Sequence, residues 1–195
     1  MENTINNSFD YAKYWEQRYK DGGNSGKGSY GENAEFKAAI INKFIEENNI
    51  ISVTEFGCGD GNNLGLYNIK NYEGLDISKE AINKCKELYK SKSSHQFSVI
   101  DMNEIYKAEM TMALDVTYHI FPRSNWESFI NKVIDSATEY AIFYSFLNPN
   151  GHAIHINDFN FIEYIEQLSK EKGFSYEVLD LVPPDSQSRF VIIKK

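Results

Sequence analysis

Three glycines at alternate positions, Gly57, Gly59 and Gly61, follow the acidic Glu55 at the end of a short apolar run. Glycine accepts positive φ and carries no Cβ, so such a turn lets a ligand approach the backbone itself. The dinucleotide fingerprint G-x-G-x-x-G requires its third glycine where Asn62 stands, and Gly61 comes one place early, which weakens an NAD(P)-dependent oxidoreductase reading. Asp76 lies 21 residues beyond Glu55, close to the spacing of an acid that accepts hydrogen bonds from both hydroxyls of a ribose. Taken singly these features have plain structural explanations: a glycine turn is ordinary after a strand, and a carboxylate is favoured at a helix N-terminus. Taken together they suit a nucleoside.

Three histidines stand where chemistry can use them. His119 follows the fourth predicted strand, and His152 and His155 follow the fifth. An imidazole titrating near neutrality can take a proton from a hydroxyl, or can bind an anion beside Tyr118 or Arg123. His119 also reads as a satisfied hydrogen-bonding group near the surface, and His95, at the opposite end of the third strand, reads as inert. No His, Asp, Glu or Cys set has ligand spacing within one element, so no metal is expected. Cys58 and Cys85 form neither a CxxC pair nor a disulfide framework. Near the N-terminus, Tyr14, Trp15 and Tyr19 precede Gly22 to Ser29, a segment with the look of a phosphate-binding loop. It fails that test, because a lysine at Lys27 would need glycine at position 21 and a hydroxyl residue at position 28, where Asp21 and Gly28 stand.

These residues need a scaffold that brings strand ends together. Apolar spacing predicts a helix over 34–48, with Phe36, Ile40 and Phe44 in one row and Ile41 and Ile45 one step round. Strands are expected at 50–56, 72–77, 96–100, 110–117 and 140–146, with 64–67 on a helix after the glycine turn, and a helix after Ser78 burying Ala81, Ile82, Cys85 and Leu88. Ser124 to Glu127 has the spacing of a capping box opening a fourth helix, and the last helix, 159–172, should stop at Gly173. A closing pair, 176–181 and 189–193, ends the chain. Alternating strands and helices predict an α/β fold, a doubly wound sheet of seven strands that is mostly parallel with an antiparallel C-terminal hairpin strand.

Composition narrows the partners. At 195 residues and 42% hydrophobic content the chain can bury one sizeable core, and its formal charge of −8 offers little counterion release to a nucleic acid. Nothing resembles an export signal or a membrane span, so a cytoplasmic location without membrane association is expected. Oligomeric state is left open.

The motifs together resemble those of the class I S-adenosylmethionine-dependent methyltransferases, and the likeness covers residues 34–195. The run Glu55-Phe56-Gly57-Cys58-Gly59-Asp60-Gly61-Asn62 is similar to the first motif of that family, and Tyr72 to Ser78, with Asp76 and Ile77, to the second-strand motif. Asp101-Met102 resembles the pair that frames adenine, and Ala113 to Ile120, with Asp115 and Val116, the fourth-strand motif at the methionine end and the acceptor. The first 33 residues look like the opening of small bacterial members, where an aromatic helix and a glycine-serine loop form a lid. The resemblance implies a single Rossmann-like domain (lid 1–33, methyltransferase domain 34–195) that binds S-adenosylmethionine and releases S-adenosylhomocysteine. Implied cofactor contacts are Tyr14, Tyr19, Gly26, Gly28, Ser29, Glu55, Gly57, Cys58, Gly59, Asn62, Asp76, Ile77, Asp101, Met102, Asp115 and Val116, with His119, His155 and His152 as catalytic candidates. A small-molecule acceptor methylated at oxygen is the expectation, N-methylation following closely, and a protein that holds the nucleoside without turnover stands as the non-enzymatic alternative.

Overall fold

The structure, a computed structural model, describes residues 9–148, 153, 155–181 and 187–195. Helix α1 (Tyr11–Lys20) begins at Asp10, whose carboxylate accepts the Lys13 N–H at 2.9 Å. Helix α2 (Gly31–Asn48) follows and ends on Asn49 in the left-handed region. Strand β1 (Ser52–Phe56) runs into the glycine turn, followed by β2 (Asn71–Asp76), α3 (Lys79–Leu88), β3 (His95–Val99) and β4 (Ala108–Leu114). Then come α4 (Arg123–Ser136), β5 (Ala137–Phe146), α5 (Phe161–Lys172), β6 (Ser175–Val178) and β7 (Ser188–Lys194).

The strands form one sheet in the order β3-β2-β1-β4-β5-β7-β6. From β3 to β5 all neighbours are parallel, and β7 runs antiparallel to both β5 and β6. Strand order reverses between β1 and β4, and in open α/β sheets a ligand crevice forms beyond the carboxyl ends at such a point. Alternate residues of β4 divide the core: Met110 and Met112 face Ile41, Ile45, Ile82 and Cys85, while Ala113 faces Phe129, Ile130, Val133 and Ile165. Helices α2 and α3 thus cover one face of the sheet, and α4 and α5 the other. Among the described residues no helix is long and apolar enough to cross a membrane.

Four local expectations are corrected. The predicted helix at 64–67 is a 3-10 turn, Asn63–Leu66. Helix α4 starts ahead of the expected capping box, because the Asn125 and Trp126 N–H groups both donate to Pro122 O; Glu127 pairs with Arg123 at 2.7 Å instead of reaching back to Ser124. In α2 the buried face is Ala34, Lys37, Ala38, Ile41 and Ile45, leaving Phe36, Ile40 and Phe44 only partly covered. Leu88 is 61% exposed, so α3 buries only Ala81, Ile82 and Cys85. Gly173 does close α5, at φ +75.

Candidate active site

At the end of β1 the chain turns through Gly57, Gly59 and Gly61 at φ +87, +57 and +79, conformations costly for any residue with a Cβ. The N–H groups of Gly57 and Cys58 both donate to Leu75 O, at 2.7 and 2.9 Å, binding the turn to the end of β2. A Cβ on Gly57 would lie 2.4 Å from Val116 Cγ2, so the turn is pressed against the end of β4 as well. Asp76 closes β2 with both carboxylate oxygens engaged: Oδ2 accepts the Gly59 N–H at 2.9 Å and Oδ1 the Ser78 N–H at 2.8 Å. Burial pushes its pKa up to about 6 against the opposing pull of these N–H donors. The Ile77 N–H also favours the charged carboxylate.

Above these strand ends lies a cavity of about 350 Å³. The turn contributes Gly57, Cys58, Gly59 and Asn62 to its wall, β2 contributes Asp76 and Ile77, the loop after β3 Met102, and the end of β4 Asp115 and Val116. Tyr19 and Ser29 line it from the N-terminal segment, together with Tyr11, Trp15 and Ser25. Five residues expected there are elsewhere. Glu55 is buried beneath the turn, where it accepts the Tyr72 hydroxyl, and burial raises its pKa to about 7. Strand alternation explains this, since Glu55 projects to the face covered by α2 and α3, where Tyr72 lies, while the glycines lie beyond the strand end. Asp101 is exposed and accepts the Asn103 N–H at 2.8 Å. Tyr14 turns away to stack on His155 with ring centroids 6.0 Å apart. Gly26 and Gly28 lie outside the wall, yet Gly28 sits so close to Asp115 that a Cβ would be 2.8 Å from Oδ2.

The N-terminal segment is fastened over the cavity. Glu16 accepts the Ser78 hydroxyl at 2.7 Å and the Glu80 N–H at 3.1 Å, completing the N-terminus of α3. The Ser78 bond, ahead of Glu80 and Lys20, brings the Glu16 pKa down to about 2. Ser25 and Asp60 exchange hydrogen bonds, Ser25 N–H to Oδ2 at 2.9 Å and Asp60 N–H to Ser25 Oγ at 3.0 Å, and the Tyr30 hydroxyl donates to the same Oδ2 at 2.7 Å. Lys84 donates to the carbonyls of Tyr19 and Gly23, and Asn62 Nδ2 to Ser29 O.

Two further groups were not singled out from the sequence. Lys37, with a side chain 1% exposed, pairs with Asp115 Oδ2 at 2.6 Å, while the Tyr118 hydroxyl donates to Oδ1 at 2.8 Å. The visible signal was a lysine on the core-facing stripe of α2. Asn63, also buried, lines the cavity with an Oδ1 that has no hydrogen-bond partner. Ser25, Asp60 and Glu16 carried no signal, because their partners lie 35 and 62 positions away in sequence.

His119 reaches the cavity from the 3-10 turn Thr117–His119 after β4. Its Nδ1 lies 2.7 Å from the carbonyl of His155, which can only accept, so Nδ1 carries the proton and the neutral ring leaves a lone pair on Nε2. Its titration is not near neutrality as expected, because burial lowers its pKa to about 4, although the His155 carbonyl opposes the shift. The ring packs 5.2 Å from Trp15 and 4.5 Å from Tyr118. The His155 ring stacks on His119 and is not part of the cavity wall, so that residue meets the site through its carbonyl. His152 lies outside the described residues.

The family model for the mRNA (guanine-N(7))-methyltransferase domain matches residues 31–154. A search of curated proteins finds no match. Among solved structures, magnesium protoporphyrin IX methyltransferase from Synechocystis PCC 6803, with bound S-adenosylmethionine, is 16% identical at a TM-score of 0.70, covering 96% of this chain and 98% of that one. The N-methyltransferase NodS of Bradyrhizobium japonicum WM9, with S-adenosylhomocysteine, is 11% identical at 0.71, covering 95% and 98%. An S-adenosylmethionine-dependent methyltransferase of Clostridium acetobutylicum ATCC 824 is 14% identical at 0.62, covering 94% and 97%. At these identities the likeness speaks to the fold, and the family match, which spans more than half of the sequence, speaks to the kinship. The chain therefore belongs to the mRNA (guanine-N(7))-methyltransferase domain family and is an S-adenosylmethionine-dependent methyltransferase of class I.

Proposed function

We propose that this methyltransferase acts on an oxygen of a small-molecule acceptor, with His119 Nε2 receiving the acceptor proton. The residues present fit the methyl donor. The buried Asp76 carboxylate at the cavity wall suits ribose hydroxyls as an acceptor, and the unpaired Oδ1 of buried Asn63 suits the ammonium of the methionine portion. The faces of Tyr11, Trp15 and Tyr19 suit a sulfonium cation. The bound donor supplies an electrophilic methyl carbon on a good leaving group, S-adenosylhomocysteine, so alignment provides much of the acceleration. What this chain adds is exclusion of water by the fastened N-terminal segment, and a place for the proton that a hydroxyl must lose.

The observation that carries the oxygen reading is the fixed tautomer of His119. A neutral ring donating from Nδ1 to a carbonyl has Nε2 free as an acceptor. A small acceptor is supported by the formal charge of −8, which repels a polyanion. Guanine N7 is a second reading, favoured by the family description; that nitrogen carries no proton and needs no base.

Formation of S-adenosylhomocysteine is the test, measured with a panel of phenols, catechols and carboxylic acids and, separately, with capped guanine dinucleotide. We expect turnover with a hydroxyl acceptor and a fall of roughly 10²- to 10⁴-fold in H119Q, with calorimetric affinity for S-adenosylhomocysteine unchanged. Turnover of the guanine nucleotide that H119Q leaves intact would replace the oxygen reading. Binding without turnover of any acceptor would favour the non-catalytic alternative.

A further inference from the structure

The turn that carries His119 is gripped by one short segment. Thr117 and Tyr118 are buried, so the carbonyls of this turn must find donors inside the protein. Three of them find the same residue. The carboxamide Nδ2 of Asn157 donates to Thr117 O and to Ile120 O, both at 3.0 Å, and its backbone N–H donates to Tyr118 O at 2.8 Å. Asn157 Oδ1 accepts the Phe159 N–H at 3.2 Å, which fixes the way the amide faces, because the two carbonyls need donors and the N–H needs an acceptor. Only 1% of the residue is exposed. Two positions earlier, the His155 carbonyl takes Nδ1 of the His119 ring. Backbone and ring are therefore held from the same stretch of chain.

Resting on the reading of His119 as proton acceptor, we propose that Asn157 is a positioning residue for methyl transfer, its carboxamide clamping the 117–120 turn so that His119 Nε2 stays directed into the cavity. Asn157 does not line the cavity, so its effect passes entirely through the turn. Serine at this position cannot span to both carbonyls. The turn then relaxes away from the His155 carbonyl, and the ring loses the contact that selects its tautomer. Facing the ring are Tyr118 and Asp115 from its own side, Trp15 and Arg18 from α1, and His155; the substitution alters none of them.

The experiment is nitrogen-15 NMR of imidazole-labelled protein, with H119Q used to assign the His119 signals. In the unmodified protein His119 is expected as a single Nδ1–H form. In N157S its two nitrogen shifts should move towards the averaged values of interchanging tautomers, while S-adenosylhomocysteine affinity by calorimetry stays within about twofold. With an acceptor that turns over, kcat should fall roughly tenfold to hundredfold and KM for the donor should hold. His119 shifts that are the same in N157S as in the parent would overturn the proposal. N157A, which removes the carboxamide without introducing a charge, serves if the serine variant does not fold. Hydrogen exchange probes the clamp without any substitution: the two Asn157 side-chain amide protons should resist exchange for hours, and exchange within seconds would overturn it. Failure of the oxygen reading has a different signature, since H119Q would then retain turnover whatever Asn157 does.

Discussion

Lys37→Met tests the most deeply buried charge at the site. The lysine side chain is 1% exposed and that of Asp115 14%, with Nζ 2.6 Å from Oδ2, so solvent screening gives little relief. Methionine keeps most of the aliphatic stem and leaves only a small void. What it removes is the cation, leaving Asp115 with a single remaining donor, the Tyr118 hydroxyl at 2.8 Å. Removing one partner of a buried pair costs about 3–5 kcal/mol, most of it from the orphaned charge. In a domain of this size each kcal/mol moves Tm by about 2–4 °C, so a fall of roughly 6–20 °C is expected. Urea unfolding at neutral pH measures it directly. The decisive comparison is K37M/D115N, in which asparagine keeps an acceptor for Tyr118 and removes the charge. That double variant should regain at least about 2 kcal/mol relative to K37M alone. If K37M loses less than about 1 kcal/mol, or the double variant is no more stable than the single, Lys37 does not offset a buried charge on Asp115.

Three further outcomes follow from the same geometry. G57A combines a left-handed φ of +87 with a Cβ 2.4 Å from Val116; strain of about 1–2 kcal/mol and a displaced cavity wall should weaken S-adenosylhomocysteine binding by about tenfold or more in calorimetry. Glu55, with a pKa raised from 4.5 to about 7, favours the folded state most below pH 4.5, and that contribution is lost as pH rises through 7. E55Q should therefore be more stable than the parent above pH 7, by on the order of 3 kcal/mol in urea unfolding, with cofactor affinity unaltered. His119 has the opposite sign: its pKa is lowered from 6.5 to about 4, so its contribution is complete above pH 6.5 and is lost as pH falls through 4. Unfolding midpoints measured between pH 7 and 4 should accordingly fall less steeply in H119Q than in the parent.

The architecture was legible because period-two and helical patterns are local. Each strand of the sheet corresponds to a run visible in the sequence, with boundaries shifted by a few residues where ladder hydrogen bonds outlast the apolar pattern, as at Ala137 in β5. The glycine turn and Asp76 were legible for a related reason: tight turns and strand-end acids announce themselves in type and spacing. Glu55 shows the limit, since a strand residue's side chain can face either way and the family resemblance put it with its glycine neighbours. The fastening of the N-terminal segment was not legible, because Glu16 meets Ser78 across 62 positions through side chains that any polar surface carries. Asn157 lay beyond reach for a similar reason, and Lys37 showed only as a lysine on the core-facing stripe of α2. Each acts by satisfying buried groups contributed by another element, and that need appears only once the elements are packed.

Glu16 touches the serine whose N–H supports Asp76, and Ser25 touches the turn whose Gly59 N–H supports it from the other side. On the proposed reading, in which Asp76 holds a ribose, these bonds couple the seating of the N-terminal helix to the filling of that position. Linkage is reciprocal: whatever tightens one must tighten the other by the same factor. An acceptor that favours the seated helix through Trp15 would on that reading raise affinity for the donor as well.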